Sequence, residues 1–226
     1  MTPDATTALA QLRGDPDDRP ARDEATAARL RELADLHLAE AVATRGVATP
    51  VVLSASSLYA APGTADLMGS ARARLRGALV STLVRLRAVG QGLDDAFGDA
   101  VAAWRADSPA PDLVDHLLGL DADERARLGA DVAAHDVALT RGLGKVAPGW
   151  AARPGARASV RVAQGRVVLR DSVDLSLGSS ADERASVVLL DVTTAPLGEG
   201  ARRALRYHAL VEALRSGVVP WRSAAL

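Results

Sequence analysis

The chain has 226 residues, 48% of them apolar, a formal net charge of −1 and no cysteine. That length and apolar content can bury a core, which excludes disorder throughout, and the near-zero charge excludes bulk electrostatic attraction to nucleic acid, although a local basic face can hide in such a sum. The missing cysteines exclude disulfides, thiolate zinc sites, iron–sulfur clusters and cysteine nucleophiles. The acidic start MTPDATTALAQLRGDPDD lacks the basic segment and apolar core of an export signal, and no run reaches membrane-spanning length. The expectation is a soluble, cytoplasmic protein with no membrane partner. Of the 27 basic residues Lys145 alone is a lysine, so any mechanism needing one has a single candidate.

Residues 1–20 combine Gly, Pro and acidic residues without apolar periodicity and are expected to be a flexible lead-in. From about Arg22 to Arg45, Leu30, Leu33, His37 and Ala41 recur at the spacing of one helical face, which predicts a helix and makes His37 a buried or boundary histidine. After VATPVVL, the serines of SASSL suit a helix cap or a turn. A long helix then carries Leu75, Leu79, Leu83 and Leu86 on one side, with Arg72, Arg76, Arg85 and Arg87 elsewhere around it. Further helices are predicted near 92–106, 111–119 and 121–143, the last opening on an acidic DADE that complements a helix N-terminus. Residues 21–147 thus read as a helical region, within which RGLGKV lacks both the spacing of a phosphate-binding loop and a strand before it.

The texture changes at about Pro148, and 148–226 read as an α/β core. ARASVRVAQGRVVLRDSVDLSLG predicts two strands joined at Gln164-Gly165, and 185–194 a third strand. The segment GEGARRALRYHALVEALRSG predicts a helix with Ala204, Tyr207, Val211 and Leu214 on one face and Gly217 as its stop. VVPWRSAAL reads as a short strand, and the chain ends where another strand is expected, as in a truncated piece. The fold class expected is therefore α/β, a small mixed sheet flanked by helices behind a helical N-terminal region.

The chemistry centres on two acids. Alternation along a strand puts Asp191 and Thr193 on one face and Val192 and Thr194 on the other. In the preceding strand Asp174 shares a face with Arg170, Ser172 and Ser176, opposite Val173, Leu175 and Leu177. Converging from neighbouring strands, Asp174 and Asp191 make a hard-oxygen pair suited to Mg²⁺ or Mn²⁺; alternatively, both are polar residues at solvated strand ends. Asp131 and His135, one helical turn apart, are a second and weaker metal pair. Arg202, Arg203 and Arg206, with Arg215 and Arg222 beyond them, are candidates for phosphate contacts or a solvated face. Trp104, Trp150, Trp221 and Phe97 are too scattered to stack bases in sequence.

The order of hairpin, third strand with D-x-x, and a helix containing LRYHALVEALRSGVVP resembles the PD-(D/E)XK nuclease superfamily in its RecB-exonuclease-like branch, over about residues 155–226. The resemblance implies a restriction-endonuclease-like core in which Asp174, in SVDLSLG, and Asp191, in LLDVTT, are the metal-binding catalytic carboxylates. The family's lysine position falls on Thr193, and its Q-x-x-x-Y positions fall on Ala204 and His208, so all three depart from the pattern. Upstream, LSASSL and RLRGALVSTL look like the opening of that branch, with the family's helix histidine falling near Ser81. Threonine carries no charge and cannot replace the field of an ammonium beside an attacking water, whereas Arg170 or Arg206 can substitute for the charge but not act as a base. The resemblance therefore implies a pseudoenzyme: a DNA-binding or DNA-processing protein with weakened or lost magnesium-dependent cleavage, His208 facing phosphate, or alternatively an inactive scaffold for a protein partner.

Overall fold

The computed structural model describes residues 7–46, 49–55, 70–107, 109–144, 146–194 and 197–226. Lys145 and the end of the SASSL segment lie outside them. A five-stranded mixed sheet organises the molecule. Its strands are β1 (Val51–Leu53), β2 (Arg153–Val162), β3 (Val167–Leu177), β4 (Val188–Asp191) and β5 (Arg222–Ala225). The expected hairpin is β2–β3, where Ala163, Gln164 and Gly165 all take positive φ. Antiparallel pairing runs the length of the hairpin, from Arg153–Ser176 to Val162–Val167.

The other edge of β3 is used at its two ends only. Parallel β1 covers Val167 to Leu169, and antiparallel β4 covers Leu175 to Leu177. Between them no strand among the described residues pairs with the edge, and the hydroxyl of Tyr207 shares its one proton between the carbonyls of Leu53 and Arg170 at 2.9 and 3.0 Å. A buried carbonyl needs a donor, so a side chain does here what a ladder does elsewhere. This gap is where the acids gather.

Seven α-helices surround the sheet among the described residues: α1 (Ala8–Arg13), α2 (Glu24–Thr44), α3 (Ala71–Ala88), α4 (Ala96–Ala106), α5 (Pro111–Gly119), α6 (Ala122–Gly142) and α7 (Glu199–Ser216). Ser70 caps α3 by accepting from the Ala73 N–H, and Asp121 with Glu124 forms a capping box on α6, which satisfies donors a helix start leaves open. Leu75, Leu79 and Leu83 of α3 are fully buried against Leu175, Leu177, Val188 and Leu190, with α4, α5 and α6 closing the same core. Tyr207, Val211 and Leu214 of α7 pack on Val160, Val162, Val167 and Leu169, as the helical spacing predicts. The chain passes from β4 through α7 to β5, which returns parallel to β4. Gly217, at φ +73°, ends α7 in the left-handed conformation a β-carbon disfavours.

Three expectations need correction. Residues 7–20 are not a free lead-in: Leu9 of α1 is fully buried, Arg13 donates to the Ser186 carbonyl at 2.7 Å, and the Arg19 guanidinium lies over Trp221. Absence of periodicity over six helical residues concealed a single core anchor. The buried stripe of α2 runs through Ala27, Leu30, Ala34, Leu38 and Val42, leaving His37 exposed. Alanines are as much a part of that seam as leucines, so a leucine-led reading rotated it. The region 21–147 is not purely helical either, because β1 completes the sheet. No helix among the described residues is long and apolar enough to cross a membrane.

Candidate functional site

Four elements meet at the gap in the β3 edge. Helix α3 brings Ser81, β3 brings Asp171 and Asp174, β4 ends on Asp191, and α7 brings His208 next to Tyr207. Asp174 is only 8% exposed. One of its oxygens accepts a hydrogen bond from the Ser81 hydroxyl and the other accepts from the Val192 N–H at 2.7 Å. Burial pushes its carboxyl up to about 6; the Ser81 and Val192 donors oppose this, and the neighbouring Asp191 carboxylate adds to it.

His208 lies on the far side of Asp191. Its Nδ1 is 2.7 Å from Oδ1 of Asp171, and both side chains are almost fully buried. Its Nε2 stands 3.6 Å from Oδ2 of Asp191, an ion-pair distance rather than a hydrogen bond. Burial pulls the imidazole down, but Asp171 and Asp191 together outweigh that and hold it up to about 9. The result is a polar series, Ser81–Asp174–Asp191–His208–Asp171, in which two acids, Asp171 and Asp191, share one imidazolium and Asp174 is influenced by the Asp191 charge.

The simple alternation expected of β3 breaks here. Ser81 reaches Asp174 from α3, and Leu175 and Leu177 join the α3 core too, whereas Val173 packs with Val187 and Leu189, and Ser176 accepts from Arg153. Asp174 therefore does not share its face with Ser176. Opposite it, between the pairs Pro154–Leu175 and Ala156–Val173, Gly155 has φ +58°, a conformation that interrupts the pleat and lets consecutive residues 174 and 175 face the same helix.

Thr193 is also displaced from its expected place. Strand β4 ends at Asp191, and Thr193 lines a cleft with Val80, His135, Leu139 and Leu226 rather than any of the clefts lined by Asp174 or His208. Its N–H donates to the Leu226 carbonyl at 2.8 Å, extending the β4–β5 pairing. Arg202, Arg203 and Arg206 are exposed on the first half of α7, where Arg203 pairs with Glu199 at 3.2 Å. Asp131 is engaged by Arg72 at 3.2 Å.

Sequence reasoning missed Asp171, which the structure makes the principal partner of His208. A signal existed: alternation places this acid between Leu169 and Val173 on the core-facing side, where an unpaired carboxylate is costly. Among the described residues no group of three or more His, Asp or Glu side chains is arranged to hold a metal ion. The donor set that remains is Asp174 with the one-third-exposed Asp191, two hard-oxygen groups of the kind that hold a hydrated divalent cation, although both oxygens of the buried Asp174 already accept from Ser81 and the Val192 N–H. The His208 imidazolium weakens the attraction. No family model, no curated protein and no solved structure matches the chain.

Proposed function

We propose that this chain is a degenerate nuclease-fold protein of the PD-(D/E)XK type, RecB-like branch, acting in DNA binding or processing with phosphodiester cleavage weakened or lost. The observation that carries the reading is convergence: Ser81, Asp174, Asp191 and His208, at or near which four separate family motif positions fall, come from four different elements, and Ser81 bonds Asp174, His208 stands 3.6 Å from Asp191, and the Asp191 charge acts on Asp174. Polar residues at unrelated solvated strand ends have no reason to meet. The element order α3, β2–β3 hairpin, β4, α7 and parallel β5 supports the same reading.

In this reading Ser81 and the Val192 N–H fix Asp174, while His208, held by Asp171, fixes Asp191. Mg²⁺ or Mn²⁺, when bound by the two carboxylates, supplies polarisation of a phosphodiester and activation of a water. No lysine is present among the described residues. Among the described residues the cation paired with Asp191 is instead an imidazolium tied to two carboxylates, so the field that an unencumbered ammonium offers an attacking water is reduced. That is the physical ground for weakened or absent cleavage.

Titration with single- and double-stranded DNA at low salt, with and without Mg²⁺, tests the reading. The expected result is a magnesium-dependent increment in binding that Asp174→Ala/Asp191→Ala removes. Failure of Mg²⁺ to change binding or cleavage in any DNA form refutes it. Degradation of linear or plasmid DNA that disappears in the same double variant identifies residual nuclease activity. A stable protein complex indifferent to the double variant, without DNA association, is what the scaffold reading requires.

A further inference from the structure

The outer face of the hairpin carries a pattern that the carboxylate site does not use. In the register, Arg157 pairs with Ser172 and Ser159 with Arg170, and Arg161 follows on the same side of β2. Directly opposed residues of an antiparallel pair project from the same face, and residues two apart repeat it, so these five side chains share one face. Arg157 and Arg170 sit on the diagonal of that square, where β-carbons stand roughly 7–8 Å apart. Like charges at that spacing repel unless an anion lies between them.

The protein's own carboxylates do little to meet that need. Arg170 is exposed and has no carboxylate partner among the described residues. Arg157 is 70% exposed and held by Asp107 at 3.0 Å, an acid that Arg85 also binds at 2.8 Å, so Asp107 stays paired when Arg157 leaves. Exposed pairs of this kind are weak and exchange readily. A cleft of about 590 Å³ opens over the square, lined by Ser54, Arg157, Ser159, Arg170, Ser172 and His208. The one carboxylate in its wall, Asp171, is committed to His208. Arg157 and Ser172 also line the adjoining cleft of about 290 Å³ that contains Ser81 and Asp174.

We infer that this face binds phosphoryl groups, with a phosphate bridging Arg157 and Arg170, the serine hydroxyls donating to its remaining oxygens, and Arg161 extending the track. Two guanidinium forks and neighbouring hydroxyls offer more donors than a carboxylate has oxygens to accept, whereas a tetrahedral phosphate uses them. The shared Arg157 carries the track from the open edge of β3 to the Asp174 cleft. The site needs neither metal nor the carboxylate pair, so it deepens the proposed function without resting on it. It also assigns the principal phosphate contacts to the hairpin rather than to Arg202, Arg203 and Arg206 of α7.

The test is fluorescence anisotropy with a labelled single-stranded oligonucleotide, without Mg²⁺, on the full chain, Arg157→Ala/Arg170→Ala, Arg170→Gln, and the α7 variant Arg202→Ala/Arg203→Ala/Arg206→Ala. The hairpin double variant is expected to lose about tenfold in affinity and to flatten the salt dependence by a slope of about 1.4, as expected for two lost phosphate contacts on a single strand. Arg170→Gln should give a smaller loss in the same direction, and circular dichroism should show that both variants fold. Asp174→Ala/Asp191→Ala should retain this metal-free binding, which separates the present inference from the nuclease reading. Inorganic phosphate and AMP are the second arm: if they bind and the oligonucleotide does not, the phosphoryl site stands and its ligand is a small phosphorylated molecule. Wild-type affinity in the hairpin variants, a loss confined to the α7 variant, or no binding of any probe overturns the inference.

Discussion

Burial lowers the His208 imidazole, and replacing Asp171 by asparagine removes the stronger of the two charges that oppose this while keeping a hydrogen-bonding group of similar size. Folding raises His208 from 6.5 to about 9. A group whose folded value lies above its unfolded one contributes stability that is fully present below the unfolded value and lost as pH rises through the folded one, so this contribution is whole below pH 6.5 and gone above about 9. At 1.36 kcal/mol per factor of ten in proton affinity, it amounts to about 3 kcal/mol, and the near-complete burial of both side chains limits solvent screening. Asp174 has the same sign in a lower window: raised from 3.8 to about 6, it contributes about 3 kcal/mol that is lost between those values. The wild-type chain should therefore lose stability in two steps, one on each side of pH 6.5. Urea unfolding followed by tryptophan fluorescence from about pH 4 to 10 at constant ionic strength measures both, and imidazole proton shifts assigned with His208→Gln locate the upper one. Asp171→Asn should shrink the upper step and leave the lower one in place. An upper step that is unchanged in Asp171→Asn, or that persists in His208→Gln, refutes the assignment of this charge pair.

Leu9→Ala should destabilise by about 3 kcal/mol in the same denaturation assay, the cost of emptying a fully buried leucine site, whereas a free N-terminal segment would show almost no change. Ser81→Ala removes a donor that favours the ionised form of Asp174, so the lower pH step should move further up, read as a shift in its midpoint. Asp136→Ala leaves the Arg87 guanidinium without its two bonds at 2.9 and 2.6 Å, in a place that α3 and α6 largely enclose; a loss of about 3 kcal/mol in the denaturation midpoint series is expected.

The elements legible in the sequence are those whose pattern was carried by bulky residues. Leu75, Leu79 and Leu83 marked the buried face of α3, and Tyr207, Val211 and Leu214 that of α7, because misplacing any of them would expose a large apolar area. The hairpin was legible because β-branched residues flank Gln164-Gly165. Alanine-rich α2 was misread by a rotation of its seam, since small side chains carry little signal, and Leu9 was invisible because one residue has no period. At the site, alternation placed Asp174 correctly with Arg170 and Ser172 but failed beyond it, where the positive φ of Gly155 resets the pleat. Thr193 followed the same rule into error: its alternation from Asp191 was counted past the end of β4. Asp171 was overlooked because its meaning depends on His208, a residue 37 positions away in sequence.

The strongest discrimination between a connected site and a set of independent polar residues comes from Asp191, because its charge acts on both titrating neighbours with opposite effect. Beside Asp174 it is a like charge that raises the carboxyl; beside His208 it is an opposite charge that holds the imidazolium. Asp191→Asn should therefore narrow both pH steps at once, lowering the Asp174 midpoint from about 6 and the His208 midpoint from about 9. Stability near neutral pH then reflects two opposed changes, a relief from easier ionisation of Asp174 and a loss from weaker support of His208, and the net value is small compared with either. Measuring at one pH would hide the coupling, whereas the full pH series and the imidazole shifts expose it. If Asp191 sat at a solvated strand end, neither midpoint would move. If only one moved, the chain of contacts from Ser81 to Asp171 would be broken at Asp191, and the helix histidine and the strand carboxylate would have to be read as separate features that happen to share an edge of the sheet.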